Sequence, residues 1–168
     1  MQMASSALRS TIIAGPGKKL CGSDLSNIEG RKTAWLAGER WKLQAFRDFD
    51  SKTGPDLYKV AYARSFGVDP STVGNDCPER QIGKVQELSL GYQGGVGAYA
   101  TMAVTYHVDL EEMAVKARPA IPKAVMRDSV RVWVWAEKQK RTLGLSNAVY
   151  TVCEALKALW RAAHPETE

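Results

Sequence analysis

Between Glu29 and Ala163 the apolar residues recur mostly every third or fourth position; glycine or proline breaks the rhythm at Gly54-Pro55, Gly67, Gly91, Pro119 and Pro122, and Pro165 stops it. A period near 3.6 builds helices, while these two residues end them. The spacing predicts helices over 29–49, 57–66, 79–90, 98–106, 110–117, 123–141 and 146–163. In the first of these, Leu36, Leu43 and Phe46 mark the apolar face, with Trp35 and Trp41 near it. Asp56 and Ser146 stand where a side-chain oxygen caps a helix start, and Gly67 stands where a helix closes. Residues 68–78, with two prolines and Asn75-Asp76, read as a loop. The short stretch Lys18 to Ser26 (KKLCGSDLS) follows the turn Gly15-Pro16-Gly17 and reads as a strand. Val130 to Val134 also alternates as a strand would. The expected class is mainly α within α+β, one short strand leading into a helical remainder.

At 168 residues, 45% of them hydrophobic and 24% charged, the chain is long enough for one packed domain and too apolar for a disordered one. Cys21, Cys77 and Cys153 are odd in number and widely spaced, without the C-x-x-C of zinc sites, so reduced thiols are expected. Met1 to Gly15 lacks the basic start of a secretory signal, and no run nears the roughly 18 apolar residues of a membrane span. A soluble cytoplasmic protein is the expectation. The net charge of +5 permits an anionic partner without demanding one. It is unevenly placed: Lys116 to Arg141 holds eight basic residues against Asp128 and Glu137, with Trp133 and Trp135 among them. Such a helix either tracks a phosphate backbone or is a solvated face whose tryptophans pack inward.

Two groups of residues suit chemistry. Asp24 ends the strand-like stretch and Glu29 begins the next helix; a carboxylate at a strand end suits Mg²⁺ and substrate phosphates, although a capping Asp with a surface Glu reads the same. Arg80, Lys84 and Leu88, with Tyr92 four further on, fall on one helix face. Two cations one turn apart clamp a triphosphate, or simply face solvent. Gly95-Val96-Gly97-Ala98-Tyr99-Ala100 spells the dinucleotide fingerprint G-x-G-x-x-A, yet that motif needs a preceding strand and here a helix is expected. His107 and His164 are isolated and read as ordinary surface or buried histidines.

Asp24-Leu25-Ser26-Asn27-Ile28-Glu29-Gly30-Arg31 resembles motif A (D-Y-S-x-I-E-x-R) of the family A, DNA polymerase I-like, DNA polymerases. Arg80-x-x-x-Lys84 with Tyr92 resembles motif B (R-x-x-x-K-x-x-x-[FY]-x-x-x-Y) on the fingers helix. Leu8-Arg9, Gly15-Pro16-Gly17, Trp35 to Gly38, Ala45 to Arg47, Asp56 to Tyr58 and Phe66-Gly67 are also similar, and Gly91 to Gly95 looks like the phage and prophage branch. The resemblance implies a palm segment over 1–30 and a helical fingers subdomain over 31–168.

It also implies roles. Asp24 would hold two Mg²⁺ ions, assisted by the backbone carbonyl of Leu25. Glu29 would reject a ribose 2′-OH, Arg80 and Lys84 would bind the dNTP triphosphate, and Tyr92 would pack at the nascent base pair. Leu88 stands where the motif B aromatic is expected, and Leu25 replaces the usual tyrosine of motif A. The family's downstream His-Asp-Glu hairpin, which supplies the second metal carboxylate, has no counterpart here, and neither has the thumb. The expected function is therefore that of a piece of a template-directed DNA polymerase. It would act on primer-template DNA and dNTPs, catalytically incomplete unless a second chain supplies the rest. A non-catalytic nucleotide- or DNA-binding remnant is the alternative.

Overall fold

A computed structural model describes residues 11–167, so the Leu8-Arg9 part of the resemblance lies outside the described residues. Among the described residues eight α-helices follow one another: α1 (Ile28–Ala37), α2 (Arg40–Asp50), α3 (Leu57–Phe66), α4 (Pro78–Leu90), α5 (Val96–Thr105), α6 (Leu110–Ala117), α7 (Lys123–Lys138) and α8 (Asn147–Ala163). Short 3₁₀ turns occupy Pro70–Thr72 and Arg118–Ala120. The caps are those expected from the sequence. Asp56 accepts hydrogen bonds from the Tyr58 and Lys59 amides, Ser146 accepts one from the Val149 amide, and Gly67 ends α3 at φ 67°.

The expected leading strand is absent: among the described residues every regular element is helical. Residues 18–25 are irregular and exposed, without a neighbouring strand to take their backbone hydrogen bonds, and a lone strand cannot persist. The α+β assignment is therefore corrected to an all-helical arrangement. Val130 to Val134 also lies within a helix, α7. The single helix expected over 29–49 is two, because Gly38 at φ 74° sends its amide to the Trp35 carbonyl while the Glu39 amide reaches Ala34. This break leaves Trp35 and Leu36 71% and 77% exposed, off the face they were expected to share with Phe46.

Among the described residues two apolar cores result. The smaller joins α1, α2 and α3 through Ala34, Phe46 and Leu57. The larger is organised by α8, whose Val149, Val152, Cys153, Leu156 and Trp160 recur at helical spacing and are buried. Burial pushes the Cys153 thiol up to about 12, helped by Glu154, so this cysteine is a small hydrophobe rather than a nucleophile. Helices α3 and α4 touch backbone to backbone: a methyl group at Gly83 would overlap the Tyr58 carbonyl oxygen. Only glycine lets them lie this close.

One ionic cluster lies inside this frame. Lys42 of α2 and Glu87 of α4 form an ion pair, with side chains 1% and 2% exposed. Glu87 Oε1 also accepts a 2.8 Å hydrogen bond from the Trp160 indole, and His164 Nε2 stands 3.0 Å from the same oxygen. His164 Nδ1 is 2.8 Å from the Trp160 carbonyl, an acceptor only, so Nδ1 carries a hydrogen. The imidazole stacks on Trp160 at 3.9 Å and meets Trp41 edge-on at 4.8 Å. Burial drives the Glu87 carboxyl upward, but Lys42 and His164 outweigh it and hold it down at about 2.

Lys42→Met should therefore cost about 3–5 kcal/mol, since it strands a buried carboxylate. Lys42→Met with Glu87→Leu should cost less than the sum of the singles, as read from urea denaturation. Because the folded carboxyl lies below its ordinary 4.5, the stabilisation it provides is complete above that value. It drains away as pH falls from 4.5 toward about 2, and Glu87→Gln should flatten the stability profile in that window.

Candidate functional site

The segment from Asp24 to Arg31 is held as a turn feeding α1. Asn27 takes the left-handed conformation at φ 51°, ψ 40°, which asparagine tolerates better than most residues. The Leu25 carbonyl accepts the Ile28 amide at 3.3 Å, so the oxygen that the resemblance assigns to a metal closes this turn. Arg31 clamps the arrangement. Its Nε donates to the Ser26 carbonyl at 3.0 Å and its two terminal nitrogens bind Asp50 at 2.7 Å each. The guanidinium also lies 4.5 Å from the centre of the Phe46 ring. Asp24 and Leu25, just before the turn, are exposed.

On α4, seven residues from Ile82 to Leu90 are buried, whereas Arg80, Lys84 and Leu88 at every fourth position stay half-buried. The expected face is thus the helix's thin open stripe, with exposed Tyr92 just beyond its end. Each cation on the stripe has a partner the sequence did not announce. Arg80 Nε donates to Asp56 at 2.9 Å, and its guanidinium lies 5.5 Å from the Tyr58 ring centre. Lys84 Nζ sits 4.0 Å from the centre of the Tyr106 ring. Burial, and then the charge of Arg80 one turn away, push the Lys84 ammonium below its ordinary value.

Two hollows connect turn and stripe. One, of about 110 Å³, is lined by Ser26, Asn27, Arg31, Asp56, Tyr58 and Arg80. The other is a narrow crevice where Asn27, Glu29 and Thr33 meet Leu88, Gly91 and Tyr92 over the Lys42–Glu87 pair. The structure thus brings Glu29 together with Leu88 and Tyr92, and Arg80 together with the turn. Asp24 and Lys84 line neither hollow. Among the described residues no three His, Cys, Asp or Glu side chains gather as a metal would require. The G-x-G-x-x-A stretch opens α5 after a helix and a turn, which is not the dinucleotide context. Sequence reasoning missed Asp56 as the partner of Arg80, Tyr106 under Lys84, and Arg31 as the clamp. Of these only Asp56 carried a local signal, as a cap.

No protein-family model matches this chain, and no solved structure does. The DNA polymerase of Bacillus phage SP02 is 42% identical over 98 residues, which is 58% of this chain. The DNA polymerase of Mycobacterium phage D29 is 31% identical over 93 residues, or 55% of this chain. This chain is similar to a piece of phage DNA polymerases. It spans only 14% of the length of either relative.

The double duty of Asp56 is separable. Asp56→Asn keeps a capping oxygen and weakens the bond to Arg80, whereas Asp56→Ala removes both. Chemical denaturation should show the alanine variant about 0.5–2 kcal/mol less stable than the asparagine one, the usual worth of a cap.

Proposed function

We propose that this chain is the nucleotide-binding part of a template-directed DNA polymerase. The observation that carries the reading is the crevice in which Glu29, Leu88 and Tyr92 converge on the turn at Asn27, with Arg80 on the other side of that turn. The two segments that resemble motifs A and B lie some fifty residues apart in sequence and share these two hollows. The phage DNA polymerases point the same way. The resemblance to family A and to its phage branch supplies the finer assignment, with the fingers over the helical region and the palm before it.

Under this reading Arg80 and Lys84 receive the triphosphate of a dNTP. Asp56 engages Nε of Arg80 and so orients the guanidinium, whose terminal nitrogens meet a phosphate as a fork. Lys84 offers a point charge one helical turn on, made less costly to desolvate by its half-buried seat on Tyr106. Glu29 and Tyr92 flank the sugar and base, and the aliphatic Leu88 offers shape without ring stacking. Mg²⁺ belongs to such chemistry, but these residues do not form a resident site for it: Asp24 is a single exposed carboxylate. It would serve as one ligand of a site completed by other parts of a longer or partner chain. Primer-template DNA is the companion substrate. The second reading is a nucleotide-binding remnant without turnover.

Titration calorimetry of the purified chain with dTTP should detect binding, and Arg80→Ala or Lys84→Ala should each weaken it about tenfold or more, since a hydrogen bond to a charged group contributes roughly 1.5–3 kcal/mol. Glu29→Ala should narrow the preference for dTTP over UTP. Binding indifferent to all three changes would overturn the reading. Primer extension should be undetectable for the chain alone, and its restoration by the remainder of a phage polymerase separates the polymerase reading from the remnant.

A further inference from the structure

The proposed nucleotide site leaves unused the most basic part of the molecule, helix α7. Among the described helices α7 packs chiefly on α8, so one side of it is free. Ser129 and Ala136 are buried on the packed side, where half-buried Val125, Met126 and Trp133 join the larger core. At about 100° per residue the opposite side is centred on Arg127, Arg131 and Lys138, with Lys123 at its edge. All four are exposed, and together they fall within roughly 80° of arc. The row is about 22 Å long at a rise of about 1.5 Å per residue. Lys140 and Arg141 prolong it past the helix end, and Arg118 stands before its start, all three exposed.

Little negative charge answers these cations from within. Asp128 approaches Arg131 at 3.0 Å and Arg127 at 3.8 Å, all three exposed, and exposed pairs of this kind contribute little. The other carboxylate on the helix is Glu137, also exposed. Trp133 and Trp135, adjacent in appearance, part company: Trp133 is tucked against the core while Trp135 is 54% exposed beside the cations. At the start of the row, Arg118, Lys123, Met126, Arg127 and Val130 line an open groove.

We infer that the outer face of α7 is a binding surface for single-stranded DNA, the cations following its phosphates and Trp135 stacking on a base. A linear array of positive charge with an interleaved aromatic ring is what such strands need, because every base has a stacking face and every linkage a charge. An anionic lipid surface fits less well. The exposed apolar residues Val130, Val132, Val134 and Trp135 are distributed among and around the cations instead of forming one continuous stripe. The inference goes beyond the dNTP site and shares no residue with it.

Fluorescence anisotropy of a labelled 20-nucleotide single strand, between 50 and 200 mM salt, tests it with the full chain. Arg127→Gln/Arg131→Gln/Lys138→Gln should lower the slope of log K against log salt by about 2, since each phosphate contact on a single strand contributes about 0.7. Trp135→Ala should weaken binding about tenfold, within the range seen for base–aromatic stacking. A control triple, Lys18→Gln/Lys19→Gln/Lys52→Gln, removes the same charge from exposed positions elsewhere and should change the slope much less. All substituted side chains are exposed, and unchanged circular dichroism confirms the fold. The dTTP affinity should stay at the unsubstituted value, so loss of strand binding with intact nucleotide binding separates this face from the proposed site. Equal effects of the two triples, stronger binding to a duplex that ignores Trp135, or tighter association with phosphatidylserine vesicles than with the strand would each overturn the inference.

Discussion

A carboxylate with almost no water around it holds the three long-range partners of this fold together. Glu87 projects from α4 to meet Lys42 of α2 and the Trp160 indole of α8, with His164 just past the end of α8. Isolated in the interior that charge would cost several kcal/mol, so the arrangement survives only while every partner is in place. The dependence runs both ways. The helices must be assembled for the carboxylate to be tolerated, and the carboxylate then penalises any arrangement that separates them. The crevice shared by Glu29, Leu88 and Tyr92 lies directly over this pair, so the floor of the proposed site belongs to the same cluster. The C-terminal turn is drawn in nearby: Glu39, itself buried, accepts from the Glu166 amide and the Thr167 hydroxyl at 3.1 Å each.

Around that centre the molecule divides its labour. Helix α8 supplies the apolar spine, and α4 lies within the assembly with only one strip of its circumference open. Putting the Arg80–Lys84–Leu88 strip on a mostly buried helix fixes those side chains in relation to the turn at Asn27 more firmly than a surface helix would. Helix α7 is built the opposite way, anchored on one side and charged on the other. As proposed, the two surfaces would take different shapes of anion, a compact polyphosphate and an extended strand.

What could be read from the amino-acid order was mainly what is local. Helical rhythm, the Asp56 and Ser146 caps and the Gly67 terminator depend on neighbours within four residues, and each is where the sequence put it. The motif-like residues Arg80, Lys84 and Leu88 share a face for the same reason. The errors arose where local pattern competes with distant contacts. Residues 18–26 have a strand's composition but no partner, and Trp35 and Leu36 have a core's composition but lie on the wrong side of the break at Gly38. Nothing near Lys42 or Glu87 marks them as buried, because each looks like a surface charge until the other, 45 positions away, is placed beside it. Asp56 and Tyr106 were overlooked as partners of Arg80 and Lys84 by the same logic.

The absence of a side chain at Gly83 has a consequence for how this molecule can vary. Here α4 presses its backbone against the Tyr58 carbonyl, and even one methyl group would force the two helices apart. Leu88, less than a turn and a half further along the same helix, is half-open to the crevice and could exchange for a ring or a shorter chain without disturbing that seam. Lineages of such a chain are therefore free to reshape the crevice, one exchange at a time, while the glycine behind it admits no alternatives.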